Sequence, residues 1–163
     1  MSDPTSIHGA LTTLLRELLD GSAAEACWVL NPGDAGLLRS LDQLSAAAAS
    51  APAPGGGPSI AAHVDHLRYG LELMNRWSEG EDPWGDADWG ASWRRLRVSD
   101  QEWAALRGRL GTEAHRWLDV VRQPRPLSDP ELTGMLASVV HLAYHLGAMR
   151  QVDRSAGGPL ARD

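Results

Sequence analysis

Four segments of this chain place apolar residues three and four positions apart over several turns, and no segment alternates them residue by residue, which restricts the fold to helices packed on helices. The first segment carries Ile7, Leu11, Leu14, Leu15 and Leu18; Asp3 caps it, Pro4 takes the first helical position and Gly21 ends it. A second runs from Ile60 through Val64, Leu67, Leu71 and Met74 to Trp77, behind a Ser59 cap, and stops near Gly80. A third opens on Ser99 and Glu102, the reciprocal pairing of a capping box. It continues through Trp103, Leu106, Leu110, Ala114, Trp117 and Val121 before Pro124 and Pro126 break it. Asp129 and Pro130 then repeat the opening of the first helix and start a fourth that runs to about Arg154.

The connections are rich in proline and glycine. Ala51 to Pro58 (APAPGGGP) cannot continue a helix and reads as a surface link, whereas Asp34 can cap one short helix carrying Leu37, Leu38, Leu41 and Leu44. Trp28, Val29 and Leu30 form a short apolar plug ahead of the Asn31-Pro32-Gly33 turn. Glu81 to Trp93 is acidic, with Trp84, Trp89 and Trp93 expected to pin it to the helices, because buried indoles serve more often as packing anchors than as ligand contacts. The expected fold is therefore all-α: a four-helix bundle with an additional short helix and long Pro/Gly-rich connections. At 163 residues it forms one domain over residues 1–154, followed by a flexible tail over 155–163.

Composition narrows the function classes. A net charge of −6 gives no field to hold a phosphate backbone, so nucleic acid is not an expected partner. The single cysteine, Cys27, rules out an intrachain disulfide and carries no sign of reactivity. The opening residues lack the basic and apolar regions of a secretory signal, and no charge-free apolar span of membrane length is without histidine. A cytoplasmic protein with no membrane association is expected. All fifteen basic residues are arginine, and there are seven Trp and no Phe, a bias that GC-rich codons explain without reference to function.

The fourth helix carries the strongest chemical signal. From Leu132 to Met149 it has no formal charge, although Leu132, Met135, Leu136, Val139, Ala143 and Leu146 already make a core-facing stripe. The other side reads Gly134, Ala137, Ser138, His141, His145 and Ala148, so both sides are expected to be covered. His141 and His145, four apart, project from one side a turn from each other, which is chelating geometry on a helix. A further ligand has to come from another helix. The second helix offers His63 and His66; His63 lies nearer the centre of its apolar arc and is the one that spacing favours.

The segment Ser59 to Leu67 (SIAAHVDHL), together with His141 to Arg150 (HLAYHLGAMR), resembles the DinB/YfiT-like family. So does the order of elements along nearly the whole chain: leading helix, linker, His helix, Trp-bearing acidic loop, third helix and His-x-x-x-His helix. The resemblance implies a four-helix bundle with a divalent metal held by His66, His141 and His145, and makes His63 a neighbour of the ligands. Three neutral imidazoles leave coordination positions open, the arrangement of a catalytic metal. Zn or Ni is the expected ion, with Fe possible, and the fold would not depend on it.

The resemblance further implies a metal-dependent hydrolase or a small-thiol S-transferase acting through a metal-bound water or thiolate. Its partner would be a small-molecule substrate, a low-molecular-weight thiol among the candidates, and the protein would be a homodimer. The competing reading is a non-catalytic metal- or ligand-binding dimeric interaction module, favoured by the absence of a recognisable acid or base: no catalytic residue can be named. Asp65 and Glu72 read as solvated charges, His8 and His115 as surface residues, and Tyr144 as able either to reach the site or to pack.

Overall fold

The computed structural model describes residues 4–21, 27–95 and 97–159. Four long helices, α1 (Pro4–Asp20), α4 (Ile60–Ser78), α5 (Asp100–Val121) and α6 (Asp129–Val152), account for most of the chain. Two short helices, α2 (Gly36–Asp42) and α3 (Ala46–Ser50), lie between α1 and α4. The chain is all-α; no strand occurs among the described residues. Contacts run from α4 to α5, from α5 to α1, from α1 to α6 and from α6 back to α4, so the long helices close a ring around one core. Leu15, Leu18, Ile60, Leu67, Leu106, Leu110, Trp117 and Met135 fill it, each almost wholly excluded from water.

Caps set where the helices begin. Ser59 Oγ accepts the amide of Ala62 at the start of α4, and Ser99 with Glu102 forms the expected capping box on α5. The cap of α6 lies one residue earlier than expected: Ser128 and Glu131 make a second capping box, leaving Asp129 and Pro130 inside the first turn. Asp3, expected to cap α1, lies outside the described residues. The single short helix expected after Asp34 is two, because Ser45 starts a new helix by accepting the amide of Ala48, and Leu44 falls between them. Asp34 still shapes this corner: its carboxylate accepts the amide of Gly36 and pairs with Arg150 at 2.8 Å.

Two glycines allow that corner to close. Gly21 and Gly36 have φ of +80° and +73°, and a Cβ on Gly21 would lie 2.1 Å from the Asp34 carbonyl oxygen. The apolar plug is not one: Leu30 is buried, but Trp28 and Val29 face solvent, and the segment is held instead by the buried Glu17 carboxylate, which accepts the amides of Trp28, Val29 and Leu30. His8 is buried too, contrary to its expected surface position. Its Nδ1 lies 2.6 Å from the Val121 carbonyl and its Nε2 accepts the Arg125 amide, tying α1 to the end of α5. His115 is exposed, as expected. In the segment expected to be flexible, Ala156 is buried and the Pro159 carbonyl accepts from the Asn31 amide group.

α6 is long and apolar enough to cross a membrane by length and composition, with 39% of its apolar stretch buried. Met135, Val139, Leu142, Leu146 and Met149 form its inward stripe. The expectation that both sides are covered does not hold: Leu136, Val140 and Tyr144 are exposed on one face, a turn apart.

Candidate metal centre

α4 and α6 approach closely where side chains are small. A Cβ on Gly134 would sit 2.9 Å from Cζ3 of Trp77, and Ser138 uses its hydroxyl to accept the Trp117 indole N–H and to donate to the Met135 carbonyl. On the other side of that contact every residue of α4 from Ile60 to Leu67 is buried, because α3, α5, α6 and the 92–94 turn all pack on it. His63, Asp65 and His66 are therefore drawn inside.

Three imidazoles meet there. Nε2 of His141 lies 3.1 Å from Nε2 of His66 and 3.0 Å from Nε2 of His145, and a ligand atom from each of the three lies within 4.8 Å of the others. Two nitrogens on one Zn²⁺ at about 2.0–2.1 Å can be at most about 4.2 Å apart, so the 3.1 and 3.0 Å separations fit donors of a common ion. Burial keeps the rings neutral. It pushes the pKa of His66 down to about 4 and that of His145 down to about 3, with neighbouring imidazoles adding to both shifts, and it lowers His63 and His141 as well. With each proton on Nδ1, three lone pairs face one another, an arrangement that a cation relieves.

His63 is not among those donors. Its Nδ1 lies 2.9 Å from Nδ1 of His145 and can accept a hydrogen bond from an N–H there, the tautomer that leaves the Nε2 lone pair of His145 free. Spacing favours His63 as a ligand, and its ring is buried against the cluster through His145. Nδ1 of His66 is buried and has no hydrogen-bond partner among the described residues.

Asp65 is buried, not solvated. Burial raises its pKa, but hydrogen bonds from Arg95 and Arg68 outweigh that and hold it below the usual range. Its charge opposes the lowering of the His66 pKa, and its 2.9 Å bond to Arg95 anchors the turn whose Trp93 stacks on His66 with ring centroids 4.4 Å apart. Glu72 is half-exposed and pairs with Arg68. Tyr144 is 68% exposed yet sets its ring edge-on to His145 at 4.9 Å.

The tryptophans of the acidic loop divide by role. Trp93 covers the histidines, as an anchor should. Trp84 and Trp89 are each 40% exposed, lie parallel to each other, and with Trp77 wall a cavity of about 670 Å³ between α4 and α6 that His141 also lines. Sequence periodicity had no signal for that cavity, since loop residues follow no helical period.

No curated protein and no solved structure matches the chain. The model of the DinB superfamily matches residues 34–149, a span that begins at the Asp34 corner and includes every histidine of the cluster. The chain belongs to the DinB superfamily.

Proposed function

We propose that this protein is a metal-dependent enzyme whose centre is His66, His141 and His145, acting as a hydrolase or as a transferase onto the sulfur of a small thiol. The observation that carries this reading is the convergence of three neutral Nε2 atoms, His141 being 3.1 and 3.0 Å from the other two, a set of three donors that leaves coordination positions open. A divalent ion, Zn or Ni, held there would supply a nucleophile at neutral pH by lowering the pKa of a water or a thiol bound to it. The chain's own part is to hold and shield. His63 fixes the tautomer of His145, Trp93 covers His66, and the buried surroundings keep bulk water from competing for the nitrogens.

The test starts with metal content of protein purified without an affinity tag, followed by turnover of ester and thiol-acceptor substrates. The reading expects one ion per chain and activity that disappears together with the ion in His141→Ala and His145→Ala. Failure to bind any divalent ion overturns it.

A second reading, a non-catalytic binding module that pairs with its own copy, draws support from the exposed row Leu136, Val140 and Tyr144. Sedimentation of wild type against Val140→Glu tests that pairing. Absence of turnover with an intact metal site, together with a dimer that Val140→Glu dissociates, would favour it.

A further inference from the structure

From the cavity beside the centre we infer a substrate class: a neutral molecule with a flat or extended apolar body that lies in the α4–α6 groove and directs one polar end to the metal centre. The inference rests on the enzyme reading above and deepens it.

The groove is built for apolar contact. Leu71, Met74, Trp77, Trp84 and Trp89 form its walls, and its volume of about 670 Å³ falls within the range of small-molecule sites. Polar anchors are few. Ser138 lines it, but its hydroxyl is already engaged with Trp117 and Met135. Asp129, at the start of α6, is the charged residue in the lining, so an anion gains nothing from the walls. Thr133 adds one exposed hydroxyl, and the remaining titratable group is His141, a member of the histidine cluster.

Glycine keeps that junction open. A Cβ on Gly70 would come 3.6 Å from Cε1 of His141 and 3.7 Å from Cζ3 of Trp89, so a larger side chain would extend between the imidazole and the indole. Gly70 stands in the middle of α4, where glycine costs about 1 kcal/mol relative to alanine. That cost is offset only if the space matters. Gly134, in the first half of α6, likewise leaves room beside Trp77.

Two measurements separate the groove from the metal. The first uses the neutral dye N-phenyl-1-naphthylamine, whose emission rises in apolar surroundings, on the full chain and on a metal-free His141→Ala/His145→Ala double variant. Saturable one-to-one binding is expected in both, weakened at least tenfold by Gly70→Leu and by Ala137→Trp. No saturable binding, or binding indifferent to both substitutions in proteins with unchanged helical circular dichroism, overturns the groove assignment while leaving the metal reading intact.

The second titrates the Zn-loaded protein with straight-chain alkyl hydroxamates, whose head binds metal and whose tail grows one methylene at a time. Affinity should rise about three- to fourfold per methylene, with the gain lost in Gly70→Leu. A flat series in wild-type protein that holds its zinc overturns the proposal. Absence of zinc from the wild-type protein would instead overturn the enzyme reading, since the dye measurement stands without it.

Discussion

His63 and His145 differ by one role although both are buried and face the same cluster, and the difference is a matter of which nitrogen meets which. Nδ1 of His145 meets Nδ1 of His63 at 2.9 Å, while Nε2 of His145 lies 3.0 Å from Nε2 of His141. Removing His63 therefore takes away orientation, not a donor. His63→Ala should weaken metal binding about 10- to 100-fold and leave one ion per chain at saturation. Alanine at His66, His141 or His145 should cost more than that and lower the stoichiometry. Competition against a chelator of known affinity reads both; equal losses at all four positions would place His63 among the ligands. Asp65 likewise acts at one remove, since its hydrogen bond to Arg95 steadies the turn that carries Trp93.

Helix ends fix how α4 and α6 meet, and the corner between α1 and α2 fixes where the matched region begins. At that corner Gly21 has φ of +80° and no room for a Cβ against the backbone of Asp34. Gly21→Ala should cost at least about 1–2 kcal/mol from the left-handed backbone alone, read as a lower urea midpoint with an unchanged slope. Ser99→Ala should cost about 0.5–2 kcal/mol, since the capping box at α5 loses its acceptor for the Glu102 amide; a loss below a few tenths would mean that solvent replaces the cap. These local devices are what the sequence displays best. The Ser59 cap and the Ser99 box were readable because cap and partner lie within one turn. The Ser128 box had the same signal, with Glu131 three residues on, but Asp129 and Pro130 offered a competing start. The break at Ser45 and the burial of His8 were not readable, because packing across the chain decides them: Trp103 bonds the Leu44 carbonyl, and His8 reaches Val121. The pair His141 and His145 was visible as a spacing, and His66 through resemblance. The Trp-walled groove came from neither, since it depends on where an aperiodic loop folds back.

Across the whole molecule, the cluster couples folding to protons. His66 and His145 have folded pKa values of about 4 and about 3, with desolvation the largest cause, against an ordinary value near 6.5 in the unfolded chain. Above pH 7 both states carry neutral rings, and these groups add no pH dependence. As pH falls below 6.5 the unfolded chain takes up protons that the folded chain refuses, so stability drops, and the drop ceases only once pH has passed through the folded values. The metal-free protein should therefore melt at progressively lower temperature from pH 7 to pH 5, a window above the range where carboxylates titrate. The His66→Gln/His145→Gln variant should show a shallower slope over the same window. Zinc bound to the folded state adds an increment that His66 and His145 leave unchanged down to pH 5, because metal-bound and metal-free folded proteins alike hold no proton on those two rings there. Below that, as pH falls through about 4, protons compete for the nitrogens of the folded protein and the increment should shrink toward zero. Calorimetric scans at half-unit pH steps, with and without zinc, measure both behaviours. A zinc increment that already collapses between pH 6.5 and 5.5 would mean that the imidazoles titrate as solvated ones do, and that the enclosure provided by Trp93, α4 and α6 does not hold them neutral.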